Sequence, residues 1–112
     1  HMFEHLSFHD GELHLEACMK ILAPGGEIRM MMPNIEFHVR QWLSRDPAAM
    51  KHARVGFWGW QREVEEGQDW DIHKSGYDTL TMTQLLTNKG FINVKSHSKP
   101  TGKHLIVSAL KP

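Results

Sequence analysis

Histidine is the most prominent chemistry-bearing residue in this chain, with nine in 112 residues against a single cysteine. Imidazole titrates near neutral pH and ligates transition metals, so clustered histidines are the first place to look for acid–base or metal chemistry. His5, His9 and His14 stand close together near the start, with Asp10 among them. Among the three histidines only His5 and His9 have the i, i+4 spacing that shares a helical face. Ser7 and Asp10 both signal a helix start inside this stretch, so it is not expected to be helical throughout. No metal site is expected here, and these imidazoles read as surface groups. Cys18 falls on the core-facing side of a helical pattern and reads as a buried, inert thiol. Trp58, Trp60 and Trp70, with Phe57, have two readings: an aromatic patch for a ligand or partner, or apolar cover for a small core.

The elements that must position these groups alternate between helix and strand. Leu13, Ala17, Ile21 and Leu22 recur at helical spacing, and Ala23-Pro24-Gly25-Gly26 stops that helix. Glu27 to Met32 follows as a strand, with Ile28, Met30 and Met32 on one face and Arg29 and Met31 on the other. Asn34 caps a second helix with the apolar stripe Ile35, Val39, Trp42 and Leu43. Asp46-Pro47 starts a third, expected to run to about Val55. Residues 56–78 read as a long aromatic-rich loop. Thr81-x-x-Gln84 has the pattern of a capping box, opening a helix with Met82, Leu85 and Leu86 inward. Lys89-Gly90 closes it. Phe91 to His97 and His104 to Leu110 are the last strands, joined as an antiparallel hairpin. Ile92 and Val94 are expected to share a face in the first of them, and Leu105, Val107 and Ala109 in the second.

Composition bounds the possibilities. The length suits one domain covering residues 1–112, small enough that an oligomer would help its stability. Thirteen basic residues balance thirteen acidic ones, which argues against nucleic acid as the main partner. No membrane-length apolar run or signal peptide is present, so no membrane partner is expected. A single cysteine fits a reducing setting, and a cytoplasmic location is the expectation. His1-Met2 reads as a cloning scar ahead of a start residue, and His1 is left out of site reasoning.

Three segments resemble one family. Glu4-His5-Leu6, a helix, Leu22-Ala23-Pro24-Gly25-Gly26-Glu27-Ile28-Arg29 and then Pro33 resemble the "EHL … LKPGG … hhhP" stretch of class I, Rossmann-like, S-adenosylmethionine-dependent methyltransferases. Ala23 stands where that family usually has Lys. His73-Lys74-Ser75-Gly76-Tyr77-Asp78, a helix, then Gly90-Phe91 resemble a segment of the subgroup linked to glycan and lipopolysaccharide biosynthesis. Leu105-Ile106-Val107-Ser108-Ala109 resembles the family's closing strand. In that family a glycine-rich turn after the first strand and an acidic residue after the second hold the cofactor. Neither feature occurs here, and the resemblance begins just after the family's fourth strand.

The resemblance implies a partial methyltransferase fold of class α/β. It implies a three-stranded mixed sheet, with the last strand central and antiparallel, and about four helices. It implies S-adenosylmethionine as the family's cofactor, not held by this chain alone. It places Glu4, His5, Asp10, His73, Tyr77 and Asp78 nearest the family's cofactor and substrate. His73 and Asp78 are then candidates for a general base or a substrate hydrogen-bond partner. The alternative is that Asp78 caps a helix and His73 packs the loop. Two functions follow. One is a non-catalytic module that forms a homodimer through the Glu27–Met32 edge or its face, or binds another chain. The other is a methyltransferase active only when a second chain or dimerisation supplies the cofactor half.

Overall fold

The computed structural model describes residues 2–59 and 72–112. A 3-10 turn, Phe3–His5, precedes α1 (Phe8–Ile21), β1 (Glu27–Pro33), α2 (Ile35–Leu43), α3 (Pro47–Trp58), α4 (Thr79–Asn88), β2 (Ile92–Ser96) and β3 (His104–Leu110). The strand order is β1-β3-β2. The last strand is central, as expected, but the sheet is not mixed. β3 is antiparallel to β1 and antiparallel to β2. β1 and β2 run the same way without touching, so every ladder is antiparallel.

Alternation in β1 and β3 builds the core. Ile28 pairs with Ala109, Met30 with Val107 and Met32 with Leu105, and directly opposed residues project to the same face. That face packs against Leu15 of α1, Met82 and Leu86 of α4, Phe3, Tyr77 and Phe91. Lys89 ties α4 to α1, with its ammonium 3.2 Å from Glu12 and 3.2 Å from Glu16. The opposite sheet face carries Arg29, Met31, Ile106, Ser108 and Leu110, and none of them belongs to the core cluster. The molecule measures 47 × 33 × 16 Å. The short axis fits one sheet and one layer of helices, because packed layers lie about 10 Å apart.

Four local expectations are corrected. In α1 the buried positions are Gly11 and Leu15, with Cys18, Met19 and Leu22 half-buried against the core; Leu13, Ala17 and Ile21 face outward. Gly11 decides this, since a Cβ there would come within 2.9 Å of the Phe3 ring. The bare glycine lets Phe3 lie on that side of the helix. In α2 the buried residue is His38, while Val39 and Leu43 are exposed. That helix packs on α3 rather than spreading its apolar stripe over the sheet. In β2 the register advances from Ile92↔Leu110 to Lys95↔Ser108, and Asn93 has φ 51°. Three steps on β2 match two on β3, which is a bulge. Ile92 therefore lies on the outer face, 46% exposed, while Val94 packs against the core. Finally, the loop expected over residues 56–78 is shorter at both ends. α3 continues to Trp58 and stops where Gly59 takes φ 79°. Asp78 already caps α4, so the capping box is Asp78 with Thr81, and Thr81 is a helical residue.

Among the described residues, no helix is long and apolar enough to cross a membrane. The corrected face of α1 makes a direct prediction. Leu15→Ala should destabilise the protein by about 2–5 kcal/mol in urea unfolding, as buried Leu truncations do. Leu13→Ala should stay within about 0.5 kcal/mol. Equal effects would mean that α1 is rotated from the position described.

Candidate functional site

The site is assembled by a segment without regular structure, Ile72 to Tyr77. Ile72 forms an isolated bridge with Gly59, and Tyr77 forms one with Asn34. The His73 N–H donates to Trp58 O (3.1 Å), and the Lys74 and Ser75 N–H groups both donate to Glu4 O (2.8 and 3.2 Å). The Ile35 N–H donates to Tyr77 O (3.0 Å). These bonds join the N-terminal turn, the end of α3 and the carboxyl end of β1. Phe3 anchors the turn, with its ring 5.3 Å from the Tyr77 ring and tilted by 48° to it.

The result brings Glu4, His5 and His73 together. One ligand atom from each lies within 4.8 Å of the others, and among the described residues this is the one such group of three. The rings of His5 and His73 are 5.0 Å apart, edge to face. Glu4 is 2% exposed. His5 Nδ1 lies 3.2 Å from Ile72 O, and His73 Nδ1 lies 2.8 Å from Gly56 O. A carbonyl oxygen only accepts, so both Nδ1 atoms carry the proton. In the neutral rings both Nε2 atoms then hold lone pairs.

A cleft of about 230 Å³ opens over these three residues. Five of the nine histidines line it: His5, His38, His52, His73 and His104. Pro33 and Lys103 complete the mouth, at the carboxyl end of β1. The Gln41 side chain bridges two of the histidines. His38 Nδ1 donates to Gln41 Oε1 (3.0 Å), and Gln41 Nε2 donates to His52 Nδ1 (2.9 Å). Burial is the main cause that lowers the His38 pKa below its ordinary 6.5; the Gln41 bond raises it, and His52, His73 and Lys103 lower it further. His38 fits only because position 56 is glycine: a Cβ there would overlap the imidazole.

The other expected site residues divide. Tyr77 is buried beside the cleft, and burial raises its hydroxyl pKa. The Asp78 carboxylate accepts from the Thr81 N–H (2.8 Å) and the Thr81 hydroxyl (2.8 Å). It serves the helix cap rather than the cleft. Asp10 sits exposed in the first turn of α1, where Ser7 is the cap. His9 is exposed, and His14 turns toward Cys18 (3.7 Å), so the run His5-His9-His14 does not converge. Trp58 is 61% exposed and borders a separate groove with Trp42, Arg54 and Phe57. Trp60 and Trp70 lie outside the described residues. Sequence reasoning missed His38, His52, Lys103 and His104. One available signal was His38 at the helical position facing Gly56, but nothing local links either residue to His73.

Compared with family models, with curated proteins and with solved structures, the chain has no significant match.

Two predictions follow from His38. Because its folded pKa is depressed, the unfolded chain binds more protons and stability must rise with pH. This contribution is present above the ordinary value of 6.5 and is lost as pH falls from there toward the lowered folded value. The urea midpoint should drop between about pH 7.5 and about pH 5.5, and the drop should shrink in His38→Gln. An unchanged pH difference in that variant would remove His38 as the cause. Gly56→Ala should cost about 1–3 kcal/mol by displacing the imidazole, which denaturant unfolding will measure.

Proposed function

We propose that these residues form part of a methyltransferase-type fold that associates with a second copy of itself, and that they do not hold S-adenosylmethionine on their own. The observation that supports this reading most is the position of β3, between β1 and β2 and antiparallel to both. A hairpin requires only the local β2–β3 pairing. The β1–β3 ladder joins residues far apart in the chain, and the family resemblance implies it independently. Two further motifs support the reading: Pro24-Gly25-Gly26 turns α1 into β1, and His73 to Asp78 leads into α4.

Association is supported by the sheet's exposed surfaces. Among the described residues β1 is an edge strand, with one side of its backbone available for pairing. Its Met31 is 45% exposed on the face that no core residue occupies, in line with Ile106 and Leu110. Such edges template pairing with another strand. In a symmetric dimer the same patch meets itself, so one apolar surface suffices for both partners. A second reading is a methyltransferase completed by another chain that carries a glycine-rich turn. The cleft favours it, because it gathers Glu4, His5 and His73, which the resemblance implies to lie nearest the cofactor and substrate.

Calorimetric titration with S-adenosylmethionine, alongside molar mass from light scattering, separates these readings. A dimeric mass with no saturable binding is expected. Saturable micromolar binding would replace the proposal with a rebuilt cofactor site. A monomer at high concentration would remove self-association and leave a partner of different sequence as the reading to pursue.

A further inference from the structure

The geometry points to a divalent transition-metal site formed by Glu4, His5 and His73, independent of the strand-order reading above. Three features converge on it. The donor set is two imidazoles and one carboxylate, a combination that suits zinc and related ions with positions left open. The two imidazoles are already in the tautomer that coordination needs. Each is held by its Nδ1–H on a backbone carbonyl, Ile72 O for His5 and Gly56 O for His73, which leaves Nε2 as the ligand atom. Metal-bound histidines are oriented in the same way, by an outer hydrogen bond from the second ring nitrogen. The third feature is the burial of Glu4 at 2%. It sets an oxygen donor, shielded from bulk water, beside the two imidazoles at the cleft.

The distances allow the site to close without rebuilding the fold. One nitrogen of each imidazole and one Glu4 carboxylate oxygen lie within 4.8 Å of one another. Ligands bound at about 2.1 Å in a tetrahedron sit roughly 3.4 Å apart, so closure needs side-chain movements of about an ångström. The backbone is held independently of the metal, through the bonds of Lys74 and Ser75 to Glu4 O. All three residues line the same cleft. The coordination positions that the protein does not fill therefore face its solvent, where a water or an anionic ligand can enter. The Lys103 ammonium at the mouth favours an anion there.

The test is zinc binding by the whole chain, measured by calorimetry and by metal content after dialysis, with cobalt(II) absorption reporting the coordination geometry. One equivalent of zinc with micromolar affinity is expected, together with the intense cobalt bands of a four- or five-coordinate site. His73→Ala and His5→Ala should each weaken binding by more than about tenfold, with folding checked by circular dichroism. Glu4→Gln keeps the shape of the buried side chain and should weaken zinc binding similarly. His9→Ala with His14→Ala should leave zinc affinity unchanged and controls for surface histidines. Zinc binding that survives His73→Ala, that falls equally in the His9/His14 control, or that never saturates would overturn the assignment.

Discussion

Residues Ile72 to Tyr77 contribute no helix and no ladder, yet the rest of the site depends on their backbone hydrogen bonds. Each bond joins parts that are distant in sequence: Glu4 to Lys74 and Ser75, Trp58 to His73, and Tyr77 to Ile35. A buried backbone group must find a partner, and most do so within regular structure. Here the partners lie in three other elements, so satisfying them sets where those elements sit. Asn34 does the same work from the other side. Fully buried, its amide donates to Pro100 O (2.8 Å) and Gly102 O (2.8 Å), and its side-chain oxygen accepts from the Glu36 N–H. The β2–β3 turn is thereby tied to the start of α2, and Lys103 and His104 are brought to the cleft.

The cleft opposes what a small domain needs for stability. A buried carboxylate and a buried imidazole are both costly where an apolar core is scarce. His38 illustrates the cost, since burial pushes it toward the neutral form. The cleft concentrates five imidazoles and buries one carboxylate. Ordinary packing requires neither. The glycines at 11 and 56 mark where the chain yields side-chain volume so that Phe3 and His38 can approach a helix closely. One supports the turn that carries Glu4 and His5, and the other forms the wall beneath the histidines.

The sheet has one dressed face and one open face. α1 and α4 cover the face of Ile28, Met30, Met32, Leu105, Val107 and Ala109. α2 and α3 pack on each other instead. An antiparallel sheet commonly packs one face on the core and leaves the other to solvent, and this sheet does so. The bulge at Asn93 adds Ile92 to that open face, which enlarges its apolar area at the β2 edge.

Much of the fold was legible in the sequence. Caps and breakers are local chemistry: Ser7, Asn34, Asp46 and Gly90 act within a few residues of themselves, and each marks a real element end. Alternation in β1 and β3 is equally local, so their core faces could be assigned from side-chain period alone. The resemblance supplied the central place of the last strand, which periodicity does not contain. Helix faces were a different matter. Leu13-Ala17-Ile21 and Gly11-Leu15-Cys18 are both acceptable stripes, and only the contact between Phe3 and Gly11 selects the second. The site lay furthest from view. Glu4, His5 and His73 were all singled out, but their meeting depends on backbone bonds spanning some seventy residues. His52 and His104 joined them without any sequence signal, and His38 with only the glycine at 56 to mark it. Residue type and short spacing therefore determined the elements and their caps. Tertiary hydrogen bonds decided which histidines face one another, because a ligand set is a property of distances that the chain acquires only when distant segments are brought together.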